Sequence, residues 1–269
     1  MKRFLSFLLT LLAFVSSTAG IRLLTITVAD YPKESEWGHI SADNDRDIML
    51  RQFQGTADIT SLSENQATYT NIINSLSALE GGVSKGDTVI VHFSGHGQQI
   101  VALNNSDEPD GLDEALIPYD VYKKESAGYH GENHLRDDVF GIHLDCLRKA
   151  VGPHGLVIAI IDACHSDSMN KGVGISKNDI VRGTYEIFGL TDNEFAAFRN
   201  RYRNQDTTPL SKSPDASPLV IVSACRSDQI NHEIKVGGKG YGSLTYYFVQ
   251  ALKTKSLKIR QNFLTGSIT

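Results

Sequence analysis

The stretch GLVIAIIDACHS, residues 155–166, decides how this chain folds. From Leu156 to Ile161 it carries only Leu, Val, Ile and Ala. A strand with one face in water alternates apolar and polar residues. An unbroken apolar run, opened by a glycine, signals a strand covered on both faces. The signature recurs in IRLLTITVA (21–29), DTVIVHFSG (87–95) and PLVIVSA (218–224), with ADITSL (57–62) a weaker case. Helical spacing lies between and after these runs: SADNDRDIMLRQF (41–53), with Ser41 or Asp43 as cap, and ENQATYTNIINSLSALEGG (64–82), closed by Gly81. DDVFGIHLDCLRKA (137–150) follows, stopped by Gly152 and Pro153, and SLTYYFVQALK (243–253) reads as a closing helix. Val139, Ile142 and Cys146 fall near helical spacing and predict a core-facing Cys146. Apolar strands separated by helices predict an α/β fold, a mainly parallel sheet with helices on both faces.

Such sheets place their sites beyond the carboxyl ends of strands. Two strand ends carry reactive residues. VIVHF runs into Ser94-Gly95-His96-Gly97, and GLVIAII runs into Asp162-Ala163-Cys164-His165-Ser166. If the two strands are neighbours, His96 and Cys164 come together across a long sequence separation. A thiolate nucleophile beside an imidazole that moves its proton is the arrangement nucleophilic catalysis needs. Gly95 and Gly97 allow backbone conformations barred to other residues and let a substrate approach closely. The amides of Gly97 and Cys164 are the candidate oxyanion donors. No Asp or Asn presents itself as a third member, so the expectation is a dyad. Taken singly, His96 also reads as a turn residue and Cys164 as a small buried hydrophobe. A zinc site from His92, His96, Cys164 and His165 is a further reading. It is weakened because HFSGH passes from a strand into a turn, so His92 and His96 are not held on one face by a regular element.

The remainder of the chain narrows the class. With 269 residues and a net charge of -5, it offers no general basic surface for nucleic acid. Lys2 and Arg3, the apolar run Phe4–Val15 and the small residues up to Ala19 read as a secretory signal peptide over 1–19. The expected location is therefore outside the cytoplasm, periplasmic or extracellular. No stable membrane span is expected once the signal is cleaved. Cys146, Cys164 and Cys225 are the only cysteines, so an exported chain keeps at least one thiol outside an internal disulfide. Cys225, after a strand but without a Gly-His-Gly neighbour, reads as structural. Residues 168–217 break the strand–helix rhythm with a polar stretch too long for an ordinary connection, yet PLVIVSA after it still belongs in the sheet. A single domain is expected to run over 20–269 with 168–217 as a long insert.

HFSGHGQQ (92–99), DEPDGLDEALIPYD (107–120), RDD (136–138), IIDACHS (160–166), SACRSDQ (223–229) and GSLTYYFVQAL (242–252) occur in the order found in metacaspases, which they resemble over roughly 21–253. The Gln-Ala-Cys signature of vertebrate caspases is absent, and the His96–Cys164 spacing exceeds the roughly 50 residues of that signature. The metacaspase branch, or a bacterial relative of it, fits better. The resemblance implies a three-layer caspase-like fold with a mainly parallel six-stranded sheet. It implies His96 as general base and acid and Cys164 as nucleophile. It further implies cleavage after Arg or Lys through an acidic pocket of Asp45, Ser94 and Asp162, which suits a guanidinium. As alternatives to the pocket, Asp45 reads as a first-turn helix acid and Asp162 as a strand-end turn residue. Many metacaspases use calcium as an activator. Asp110, Asp137 and Asp138 match the family's acids, whereas Lys171 stands where a further aspartate is expected. No cofactor is required for the chemistry itself. The insert contains Lys171, Lys177, Arg182, Arg199, Arg201, Arg203 and Lys212, any of which an acidic pocket accepts. Self-processing there, or covering of the pocket by this segment, follows as an expectation, as does a monomeric enzyme acting on peptide or protein substrates. The rival readings are a catalytically silent caspase-like module that binds peptides, and a zinc-dependent hydrolase.

Overall fold

The computed structural model describes residues 19–103, 110–164, 180–191, 215–225 and 231–254. Five parallel strands form the central sheet: β1 (Ile21–Thr27), β2 (Asp58–Ser63), β3 (Thr88–Ser94), β7 (Leu156–Asp162) and β8 (Leu219–Ser223), in the order β2-β1-β3-β7-β8. The sheet separates two apolar layers because successive side chains point to opposite faces. Leu24, Ile26, Val89, Val91, Phe93, Val157 and Ala159 pack against α2 (Tyr69–Gly82) and α3 (Asp137–Val151). Leu23, Ile90, Ile158 and Ile160 pack on the other side against α1 (Ala42–Phe53) and α4 (Ser243–Thr254). This is the three-layer α/β architecture, with five sheet strands among the described residues. Truncating a fully buried member such as Leu24 to Ala costs about 2–5 kcal/mol through lost transfer energy and the cavity left behind.

Several local expectations need correction. The stretch 64–82 is not one helix. Glu64–Gln66 forms a 3-10 turn, and the α-helix starts at Tyr69, where the Thr68 hydroxyl accepts from the Asn71 N–H. It then runs through Gly81 to Gly82. At the start of α1, neither Ser41 nor Asp43 caps through its side chain. Ser41 occupies the cap position, but its backbone N–H and hydroxyl both donate to Glu233. Helix α3 buries Phe140, Leu144, Leu147 and Val151, which leaves Ile142 64% exposed and Cys146 on the outer face. The stripe that includes Phe140 and Leu147 buries more apolar area than the one through Cys146, so it takes the core.

Two small sheets escape the apolar-run criterion. β4 (Gly97–Val101), β5 (Leu112–Leu116) and β6 (Leu135–Arg136) form an antiparallel sheet, and β9 (Glu233–Val236) with β10 (Lys239–Gly242) forms a hairpin. β4 follows β3 after two residues, and β10 leads directly into α4.

Candidate active site

β3 and β7 are hydrogen-bonded neighbours in register, with Ser94 opposite Asp162. Their ends therefore bring together the two segments that carry His96 and Cys164. Ser94 shares the parity of Ile90 and His92, and Asp162 that of Ile158 and Ile160, so both face α1 and α4.

His96 sits in the two-residue connection between β3 and β4. Its Nε2–H donates to the Gly38 carbonyl at 2.8 Å. That bond leaves the lone pair on Nδ1, which is buried without a hydrogen-bond partner. The ring stacks on Trp37 at 4.9 Å and meets Tyr31 at 5.3 Å. The Tyr31 hydroxyl accepts from the His96 N–H and donates to the Ile117 carbonyl. Burial in this aromatic clamp lowers the imidazole pKa to about 4, so His96 is neutral around pH 7. Gly95 and Gly97 do not have positive φ. Gly95 is needed for room: a Cβ there would come within 2.8 Å of the Phe93 ring.

Cys164 lies two residues beyond β7, fully buried, and none of Cys146, Cys164 and Cys225 is in a disulfide. Its N–H donates to the Arg182 carbonyl at 2.8 Å. On the other side, the Ile117 N–H bonds the His96 carbonyl, which makes Gly97 and Leu116 a non-hydrogen-bonded pair. The Gly97 N–H and C=O consequently turn away from β5. A Cβ on Gly183 would overlap the Cys164 carbonyl and come within 3.1 Å of the Gly97 carbonyl. The backbones of Gly97, Cys164 and Arg182–Gly183 thus converge on one point.

The Arg182 side chain is fully buried among carboxylates. Its Nη2 is 2.8 Å from Asp45 Oδ2 and 3.0 Å from Glu233 Oε1. Its Nη1 donates to Ser94 Oγ at 2.7 Å and lies 3.9 Å from Asp162 Oδ1. Ser94 Oγ donates in turn to Asp45 at 2.8 Å, and Asp45 also accepts from the Gly242 N–H. Asp162 accepts from Asn231 Nδ2 and from the Thr245 N–H at the start of α4. Burial pushes Asp45 up to about 7 in spite of Arg182. Burial opposes the charge on Arg182, but Asp45, Asp162 and Glu233 outweigh it and hold the guanidinium above its ordinary pKa. Asp45, Ser94 and Asp162 are therefore brought together as one acidic pocket. Asn44 is not in it; its amide donates to the Gly240 carbonyl.

The backbone before Arg182 is bound like an added strand. Val181 pairs antiparallel with His232, the Arg182 N–H donates to the Asn231 carbonyl, and the Glu233 N–H donates to the Ile180 carbonyl. Beyond Gly183, Phe188 bonds β4 through the Gln99 carbonyl.

The zinc cluster finds little support: His92 has both ring nitrogens engaged by Thr25 and Thr245 hydroxyls, and His165 lies outside the described residues. The acids matched to calcium lie near one another: Asp110 and Asp137 are both within electrostatic range of Glu114, and Asp138 and Asp113 of Asp137. Asp110 accepts from the Leu112 N–H, Asp137 and Asp138 are exposed at the start of α3, and Asp113 pairs with Arg136. Burial, with Asp137 and Asp110 nearby, raises Glu114 to about 7. Among the described residues no group of three or more His, Cys, Asp or Glu side chains is arranged to hold a metal ion. Lys171, Lys177, Arg199, Arg201, Arg203 and Lys212 lie outside the described residues, as does the expected signal peptide apart from Ala19.

Tyr31, Trp37, Gly38, Asn231, Glu233 and Thr245 were not read from the sequence as site residues. Trp37, the chain's one tryptophan, was the available signal, since it lies in the loop after β1, a strand adjacent to β3.

A family model for the metacaspase peptidase C14 domain matches residues 36–171. The chain belongs to the metacaspase family. It is 27% identical over 212 residues to Metacaspase-1A of Neurospora crassa, covering 70% of this chain and 44% of that protein. It is 30% identical over 218 residues to Metacaspase-3 of Arabidopsis thaliana, covering 78% and 52%. This metacaspase chain thus spans about half the length of the curated relatives it matches. The fold is similar to that of a crystallised Geobacter sulfurreducens protein, with a TM-score of 0.58 and 19% identity over 88% of this chain and 83% of that one. His96, Cys164, Asp45, Ser94 and Asp162 fall inside the family match; Arg182, Asn231 and Glu233 fall outside it.

Proposed function

We propose that this metacaspase is an exported cysteine endopeptidase that hydrolyses peptide bonds after Arg or Lys with a His96–Cys164 dyad. The observation that supports the reading most is Arg182: a basic side chain among the pocket carboxylates, with its own carbonyl on the Cys164 N–H. A substrate with a basic residue before the scissile bond takes that position. Cys164 Sγ attacks the carbonyl carbon while its proton passes to His96 Nδ1, the ring nitrogen with the lone pair. The oxyanion that forms accepts hydrogen bonds from the Cys164 and Gly97 N–H groups. The C–N bond breaks, and His96 returns the proton to the leaving amine. Water then hydrolyses the thioester, giving the carboxylate product and restoring the thiol through His96.

The same placement supports self-processing within 168–217, with Arg182–Gly183 as the bond presented to Cys164. Export rests on the Lys2–Ala19 pattern. Among the described residues no helix is long and apolar enough to cross a membrane. In this reading calcium acts as an activator only. The enzyme acts as a monomer in this reading.

The test is a fluorogenic Arg-peptide assay on wild type and Cys164→Ala, with and without calcium, beside intact-mass analysis of both proteins. Turnover lost in Cys164→Ala, and a cut present in wild type alone, are the expected results. Turnover that survives Cys164→Ala and falls on chelation supports a zinc hydrolase. Absence of turnover in wild type, cut or uncut, supports a peptide-binding module.

A further inference from the structure

We infer that Glu233, which neither the family match nor the sequence motifs assign to the site, makes the acidic pocket select arginine over lysine. The inference rests on the peptidase reading for its bearing on substrates, though the geometry holds for any occupant of the pocket.

Glu233 opens β9 and is buried. Its Oε1 lies 3.0 Å from Arg182 Nη2, the nitrogen that also touches Asp45 at 2.8 Å. The second terminal nitrogen, Nη1, meets Ser94 and Asp162 instead. The pocket is therefore built for two nitrogens held apart in a rigid plane. Asp45 and Glu233 take one, Ser94 and Asp162 the other. A guanidinium satisfies both positions at once, whereas an ammonium is a single point donor on a flexible stem. A lysine drawn to one position leaves the other position's carboxylate buried without its cation, a costly arrangement.

Glu233 is held for this task. Its Oε2 accepts from Ser41 Oγ at 2.8 Å, and the Ser41 N–H donates to Oε1. Ser41 stands at the amino end of α1, where the helix dipole favours a carboxylate. Gly240, on the adjacent strand, leaves the room: a Cβ there would overlap Ser41 Oγ and come within 2.8 Å of Glu233 Oε2. Glu233 also reads the chain two residues earlier, because its N–H bonds the Ile180 carbonyl. One residue thus fixes both the register of the bound strand and the Nη2 end of its basic side chain.

Two readouts on the full chain test this. The first does not depend on turnover: melting temperatures of wild type, Arg182→Lys, Glu233→Gln and the double variant. Arg182→Lys is expected to lower Tm by several degrees in wild type and by less than half as much in Glu233→Gln. An equal drop in both backgrounds overturns the inference. The second is kcat/KM for matched Arg- and Lys-peptides. Wild type is expected to prefer Arg by at least tenfold, and Glu233→Gln to lose at least tenfold on Arg but no more than about threefold on Lys. Equal losses, or an unchanged ratio, overturn it. Coupled melting temperatures without any Cys164-dependent turnover would sink the peptidase reading while supporting Glu233 as a selector of arginine. If Glu233→Gln does not fold, Ser41→Ala, which frees Glu233 without removing it, is expected to shift both readouts the same way to a smaller extent.

Discussion

The two walls of the site around Cys164 are made of opposite materials. On one side His96 is sealed by Tyr31 and Trp37, with a single backbone carbonyl fixing its tautomer. On the other side three carboxylates and a serine surround one guanidinium. Burial acts on both walls, but with opposite consequences. An apolar enclosure drives the imidazole neutral, which leaves a lone pair ready to take a proton. A buried cluster of carboxylates is costly to charge without a cation beside it, so that wall favours a basic occupant. In the proposed reading one wall serves proton transfer and the other recognition.

The largest break in this comparison is expected from His96→Ala. Peptide hydrolysis should fall by about 10²–10⁴-fold, the range for loss of a general acid–base group, while far-UV circular dichroism stays that of wild type. On the pocket side, Asp162→Ala should act on stability first. It removes the acceptor of Asn231 and of the Thr245 N–H together with one counter-charge of Arg182, and should cost about 3–5 kcal/mol in chemical denaturation.

The walls should also respond oppositely to pH. In the unfolded chain a histidine titrates near 6.5 and an aspartate near 3.9. His96 is depressed to about 4 in the fold, so its contribution to stability is lost as pH falls from about 6.5 through 4. Asp45 is raised to about 7, so its contribution is present at low pH and lost as pH rises from about 4 through 7. Denaturation curves across this range should show His96→Gln less sensitive to acid than wild type, and Asp45→Asn less sensitive to the rise toward neutrality. A pair of variants that shifts in the same direction would contradict the contrast. The smallest effect is expected from Trp37→Leu. Losing the ring stacked on His96 should cost about 0.5–1.5 kcal/mol beyond the area change and lower kcat with KM little altered, since Trp37 positions the imidazole without touching the pocket.

Much of the fold was legible because its strands are covered on both faces. The runs at 21–29, 87–95 and 155–163 became β1, β3 and β7, which lie side by side. On α3 the spacing of Val139, Ile142 and Cys146 misleads, because Phe140, Leu144 and Leu147 form the stripe that meets the sheet. β4, β5, β9 and β10 were missed because Gln, Asp, Glu, Lys and Gly interrupt any apolar pattern there. In the site, His96 and Cys164 stand out at strand ends, whereas Asp45, Ser94 and Asp162 are marked as pocket residues only by the resemblance to metacaspases. Arg182 was one of seven basic residues in the insert, with nothing local to distinguish it. Glu233 gave no signal at all.

By itself the sequence determined a parallel sheet and the residues at its carboxyl ends, because apolar runs and the alternation of side chains are local properties of an extended chain. Only the tertiary structure decided which ring nitrogen of His96 holds the lone pair, which basic residue stands in the pocket, and that Ser41 at the start of α1 anchors Glu233 of β9. Those choices are made by contacts between residues as much as 192 positions apart, such as Ser41 and Glu233, where no periodicity reaches and only packing brings the partners within hydrogen-bonding distance.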